Sequence, residues 1–258
     1  MKDYIVFTVA GNFYAVDVEW IERIIHTQPL TVIPNAHPFI EGMMSYEKQV
    51  IRVINFRLMT HLPTCENELL DLFERAKEGY SSWVDRLDEV TSGGDLMQFS
   101  SDRRIQKFGE WLERFNTHDP QVSAVLKRLR PLHAKLDETG KSALWNRESD
   151  PKKAHAMVEQ IRTEMLPDIL AAIGRLIEEI GNMAAHMQKM LIFRSDHQFF
   201  AIKVDTIEDM AQIETGSVKQ VDTSMFEKDF LDIAGVIELQ DKLVNVIKAV
   251  SLPTKEAA

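Results

Sequence analysis

Phe13-Tyr14-Ala15-Val16-Asp17-Val18-Glu19-Trp20-Ile21-Glu22 is answered 186 residues later by Phe199-Phe200-Ala201-Ile202-Lys203-Val204-Asp205-Thr206-Ile207-Glu208. A second pair stands 193 residues apart: Gly42-Met43-Met44-Ser45-Tyr46-Glu47-Lys48-Gln49-Val50-Ile51-Arg52-Val53-Ile54-Asn55 and Gly235-Val236-Ile237-Glu238-Leu239-Gln240-Asp241-Lys242-Leu243-Val244-Asn245-Val246-Ile247-Lys248. Hydrophobic positions and turn positions recur together. That is the mark of two equivalent β units whose connecting loop has accepted a whole domain.

Outward from these stretches, Tyr4 to Val9 and Phe13 to Val18 read as a hairpin around Gly11-Asn12, and Asp17 to Ile21 as a short helical turn. Pro34 and Pro38 interrupt, and Gly42 then opens a second hairpin with Glu47-Lys48 as its turn and Val50 to Phe56 as its return strand. The second copy follows the same order. Met190 to Phe193, a turn at Ser195-Asp196-His197, Phe199 to Val204, Ile207-Glu208, Val218 to Val221, Gly235 to Leu239 and Leu243 to Val250 are its parts. About five short strands per half favour barrels, because closure hides strand edges.

Between Pro63 and Lys189 the period changes from two to about 3.6. Leu69, Phe73, Ala76, Tyr80, Trp83, Leu87 and Val90 form one helical seam, ended by Gly93-Gly94. Ile105, Phe108, Leu112 and Phe115 form a second, and Val122, Val125, Leu129, Leu132, Leu136 and Ala143 a third. Ser149-Asp150-Pro151 launches a fourth through Val158, Ile161, Leu166, Ile169, Ile173, Leu176, Ile180, Met183 and Met187, with a kink expected at Pro167. The fold class expected is α+β and multidomain: a pair of five-stranded β-barrels interrupted by an antiparallel four-helix bundle, with boundaries at 1–63, 64–189 and 190–258.

Forty acidic against thirty basic residues give a net charge of −10, which disfavours nucleic acid and anionic membranes as partners. The single cysteine, Cys65, excludes an internal disulfide, and no apolar run of membrane-spanning length is present, so a cytoplasmic protein is expected. No Ser-His-Asp series, phosphate-cradling glycine loop or metalloprotease helix is visible, and the chain reads as non-catalytic. His155, His186 and His197 read as surface residues, and Trp83 and Trp111 as packing anchors.

The ordered series Tyr4–Val9, Phe13–Val18, Ile21-Glu22, the prolines near Pro34 and the Gly42–Phe56 hairpin, followed by its second copy, resembles the CheW family of chemotaxis coupling proteins. That resemblance implies interwoven barrels without an active site, bridging a CheA-type histidine kinase and chemoreceptors. Where the family carries Asn-Leu-Arg-Gly, this chain has Ser45-Tyr46-Glu47-Lys48, so the arginine associated with receptor coupling becomes Glu47. The docking residues expected on the two hairpins are Gly42, Tyr46, Glu47, Val50, Gly235, Leu239 and Val244.

The inserted helices resemble the chemoreceptor zinc-binding domain. Its frame survives as Tyr80-Ser81-Ser82-Trp83, Gln106-Lys107-Phe108-Gly109-Glu110-Trp111 and His133-Ala134-Lys135-Leu136-Asp137. The resemblance places a metal site at Tyr80, Gln106, His133 and Asp137. Tetrahedral zinc wants imidazole and thiolate, and glutamine and neutral tyrosine replace them poorly. No cofactor is therefore expected, with His133 and Asp137 the residual pair for weak zinc binding. Two functions follow as expectations: an adaptor docking a CheA-like kinase or a receptor-like protein, with self-association through the bundle; or a metal- or small-ligand-responsive sensor using the bundle.

Overall fold

The computed structural model describes residues 1–95, 102–195, 198–220 and 230–252. The chain divides into two compact units, one made of Met1–Cys65 with Ala184–Ala258 and the other of Glu66–Met183.

Among the described residues the first unit holds ten strands: β1 (Lys2–Val9), β2 (Asn12–Asp17), β3 (Ile21–His26), β4 (Ile40–Tyr46), β5 (Gln49–Asn55), β6 (Lys189–Ser195), β7 (Gln198–Val204), β8 (Thr206–Ile213), β9 (Leu231–Leu239) and β10 (Lys242–Val250). They form two five-stranded sheets, ordered β8-β1-β2-β10-β9 and β3-β6-β7-β5-β4. Exchanging each strand for its repeat counterpart, β1 for β6 through β5 for β10, converts one order into the other. Each sheet therefore draws strands from both copies. The parallel pairs keep the repeat's register, since Val53 faces Ala201 and Val246 faces Ala15.

Three apolar clusters result among the described residues of this unit. One is lined by Val6, Ala15, Ile213, Val244 and Val246, and a second by Met44, Tyr46, Ile51, Val53, Met190, Ile192 and Ala201. The third takes the opposite faces of both sheets, including Phe7, Tyr14, Ile54, Phe56, Leu191, Phe200 and Ile202. This alternation is what a strand buried on both faces requires.

Among the described residues, three hairpin turns place two consecutive residues in the left-handed region: Ala10-Gly11 (φ 48° and 78°), Glu47-Lys48 (45° and 67°) and Gln240-Asp241 (49° and 62°). Such turns match the right-handed strand twist. The first lies one residue earlier than the Gly11-Asn12 expected, because Asn12 is already paired with Val9. Asp17 caps a 3-10 turn at Val18–Trp20 by accepting the Glu19 N–H at 3.0 Å. Ile207-Glu208 is part of β8 rather than of a turn like that at Val18–Trp20. Asp205, one residue before β8, instead accepts both arms of Arg57, at 2.8 and 2.6 Å. Arg57 belongs to a single-turn helix, α1 (Phe56–Met59), capped by Asn55. Asp196, His197 and Val221 lie outside the described residues.

The helical elements are α2 (Cys65–Thr91), α3 (Arg103–Arg114), α4 (Pro120–Asn146), α5 (Pro151–Gln160), α6 (Leu166–Glu178) and α7 (Ile180–Met187), with a π turn at Ile161–Met165. All seven seam residues expected on α2 are buried. Asp102, Asp119 and Asp150 cap α3, α4 and α5 with their carboxylates, and prolines occupy the first turns of α4 and α5. The Pro167 break takes a specific form. Proline cannot donate to the carbonyl four residues back, and the helix widens just before it, where the Leu166 N–H donates to Ile161 O. The extra residue moves Met165 into the core in place of Leu166, which is half-buried.

Candidate partner-binding site

The hairpins β4–β5 and β9–β10 carry the expected docking residues. Gly42 and Gly235 are buried where a second backbone segment crosses: a Cβ on Gly42 would stand 2.7 Å from Thr31 O, and one on Gly235 would collide with Lys219 O. Thr31 bridges Met43 and Lys219 bridges Val236, so both glycines admit a segment that covers the outer edge of β4 or β9. Tyr46 is buried in the second apolar cluster, and its hydroxyl donates to Glu22 Oε1 at 3.4 Å. Val244 is buried and Leu239 half-buried. Of the seven, Glu47 and Val50 are exposed. Glu47 sits at the turn, 3.9 Å from the Arg23 guanidinium, and Val50 is 70% exposed.

Sequence reasoning passed over the residue equivalent to Val50. Leu243 stands at the same place in the second copy and is 69% exposed, whereas its neighbour Val244 points inward. Ile24 and Met210, also repeat counterparts, are exposed on β3 and β8. The repeat offsets applied to exposed positions, rather than to strand starts, would have found both pairs. The two sheets thus present matched apolar side chains at equivalent sites, and Val50 and Leu243 each stand beside a tight turn.

In the helical unit, Gln106, His133 and Asp137 line one cleft of about 370 Å³ together with Trp83, Gly109 and Glu113. Tyr80 lies behind it, its hydroxyl 2.5 Å from His133 Nδ1. Burial pushes the Tyr80 phenol well above its ordinary range and holds His133 below its ordinary value against the opposing pull of Asp137 and Glu113. The phenol keeps its proton and can donate it to Nδ1 in the tautomer that carries the imidazole's own proton on Nε2, which lies beside Gly109. Asp137 is bound to Lys141 at 2.6 Å. No cluster of three histidine, cysteine or carboxylate residues suited to a metal occurs among the described residues. The cleft offers one imidazole, a carboxylate paired with a surface lysine and the neutral donors of Gln106 and Tyr80, a set without the thiolate and the second imidazole that tetrahedral zinc prefers.

The architecture defines a class: an α+β molecule with two strand-exchanged five-stranded sheets and a separate helical unit. Within it, residues 3–77 match the family model of the CheW-like domain, running past the last strand of the first copy into α2. Among solved structures, the chain is similar to the crystal structure of the scaffolding protein TtCheW from Thermoanaerobacter tengcongensis, at 12% identity and a TM-score of 0.46, covering 96% of this chain and 90% of that one. No curated protein sequence matches the chain.

Proposed function

We propose that the protein is a non-catalytic, CheW-like adaptor of a chemotaxis-type signalling system, docking a CheA-type histidine kinase, a receptor-like protein or both. The observation that carries this reading is the match of residues 3–77 to the CheW-like domain, on a unit whose exposed apolar residues Val50 and Leu243 recur at equivalent positions of two sheets. Apolar side chains beside rigid hairpin turns suit protein docking, where a few well-placed anchors carry most of the binding energy. Glu47 reverses a charge at the first turn and selects for a partner with a basic counterpart there. The helical unit is a degenerate relative of the chemoreceptor zinc-binding bundle, in which the Tyr80–His133 hydrogen bond stands where a ligand pair would.

Pull-down with the CheA-type kinase and receptors of the native host tests the reading. The protein retains a kinase or receptor, and Val50→Asp or Leu243→Asp weakens that capture by about tenfold or more. Failure to retain any signalling partner overturns it. Zinc at one equivalent per chain, lost in His133→Ala, would instead favour the sensor reading.

A further inference from the structure

The cleft in the helical unit lacks a metal's ligand set, but its lining is one-sided in charge. Its volume of about 370 Å³ falls in the range of small-molecule sites, roughly 300–1,000 Å³. From α3 come Gln106, Gly109, Glu110 and Glu113, at the i, i+3, i+4, i+7 spacing that gathers residues on one side of a helix. From α4 come His133, Leu136 and Asp137, while Trp83 of α2 and Ile105 of α3 add to the apolar part. Gly109 keeps the wall open, since a Cβ there would stand 3.0 Å from His133 Nε2.

Among the described residues no lysine or arginine lines this cleft, while four carboxylates do: Asp102, Glu110, Glu113 and Asp137. Asp102 is paired with Arg86 and Arg104, each at 2.8 Å, and Asp137 with Lys141 at 2.6 Å. Glu110 and Glu113 differ. They make no hydrogen bond or ion pair among the described residues, and they stand one helical turn apart on the cleft side of α3, where like charges repel. The charges of Asp137 and Glu113 reach the His133 ring, whose own protonation burial opposes. No three acidic, imidazole or thiol groups among the described residues converge as a metal ion requires. The negative charge is instead spread along a cleft that also holds an indole, which suits a cation larger than a metal ion.

We propose that this cleft binds a small organic ammonium ion, an amine with an apolar body, whose charge meets Glu110 and Glu113 and whose body lies against Trp83, Ile105 and Leu136. Two features select this class. The unpaired carboxylates repel anions and attract a cation, and the indole and aliphatic side chains favour an apolar portion that hydrated inorganic ions lack. The Trp83 ring is seated on Gly140, so this wall is preformed and binding need not order it. All of these residues belong to Glu66–Met183, so the site is independent of the adaptor reading of the sheet unit.

The test is isothermal titration calorimetry of the full-length chain with phenethylamine at neutral pH, where the amine is charged. One amine per chain is expected to bind, half-saturating at about 1 mM or below. Phenethyl alcohol, its neutral analogue, binds about tenfold more weakly, and phenylacetate does not bind measurably. The double variant Glu110→Gln with Glu113→Gln weakens amine binding by about fivefold and flattens its salt dependence. Both positions are exposed, so the fold is retained, and the melting temperature checks it. Gln106→Lys, also at an exposed position, adds a repelling charge to the lining and weakens binding to a similar extent. No saturable amine binding, equal binding of phenethyl alcohol, or binding unchanged in the double variant overturns the proposal. One equivalent of zinc, lost in His133→Ala, would also overturn it, by giving the cleft to a metal. Failure of the adaptor reading is distinguishable, because it shows in the kinase and receptor pull-down and leaves amine binding intact.

Discussion

Gly140 on α4 is set by Trp83 on α2, whose six-membered ring occupies the space that a Cβ on Gly140 would enter. Glycine in mid-helix costs about 1 kcal/mol relative to alanine, so its presence there reflects packing rather than propensity. Gly140→Ala is expected to destabilise the protein by about 1–3 kcal/mol in urea unfolding, as overpacked cores do. Adding Trp83→Phe, which shortens the ring, makes the double variant less destabilised than the sum of the singles. The Tyr80–His133 pair obeys a different rule. Tyr80→Phe strips His133 Nδ1 of its donor and costs about 1–3 kcal/mol, the penalty for an unsatisfied buried polar atom. The folded protein holds the His133 pKa below its ordinary 6.5, so the unfolded chain takes up that proton first as pH falls. The stability due to neutral His133 is therefore complete above pH 6.5 and is lost progressively below it. His133→Gln should flatten that part of the stability–pH curve. Asp102 acts in a lower window. Hydrogen bonds from Arg104, with Arg86 assisting, hold its carboxyl at about 2, so its contribution is lost as pH falls from 3.8 towards that value.

At the scale of elements, turn chemistry divides what the sequence discloses from what it conceals. Glu47-Lys48 reads correctly as a turn because strands of matching pattern flank it, although neither residue favours the left-handed conformation both adopt. Replacing the pair by Asn-Gly keeps the turn type and is expected to raise stability by about 1 kcal/mol, measured as a higher urea midpoint at unchanged slope. The helix α2 seam was legible in full because one uninterrupted period of 3.6 needs only local information. The seam through α5 and α6 was legible at Val158, Ile161, Ile169, Ile173, Leu176, Ile180 and Met183, all buried, and missed at Leu166, just after Ile161. Beyond it the π turn inserts one residue, and periodicity alone cannot say whether proline kinks a helix or widens it. The candidate docking residues show the same division. Val50 stands out as an apolar residue on a strand's outward face, whereas Val244, expected at the second hairpin, faces inward and Leu243 outward, because hydrophobicity does not report which face a residue takes. A one-residue shift reverses that answer.

For the whole molecule, the long excursion between the repeat copies begins and ends at one ion pair. Arg57 donates to Pro63 O at 3.2 Å and to Asp205, and Asp205 accepts from Gln188 Nε2 at 3.3 Å. Pro63 precedes the helical unit and Gln188 follows it, so the sheet unit brings the two ends of the insertion together with its own side chains. A domain accepted at such a point can be removed at little cost, since closing a short loop between neighbouring ends loses little entropy. Replacing residues 66–183 by a Gly/Ser linker of about six residues should leave a sheet unit that is monomeric and unfolds in one cooperative transition, followed by circular dichroism and denaturant titration. Asp205→Ala in that shortened protein leaves Arg57 buried without its carboxylate and should lower stability by about 3–5 kcal/mol. A shortened protein that binds hydrophobic dye and melts without a transition would mean that the helical unit contributes to the sheets' stability. A cooperative one puts the proposed docking hairpins on a single unit, where kinase capture can be assigned to them.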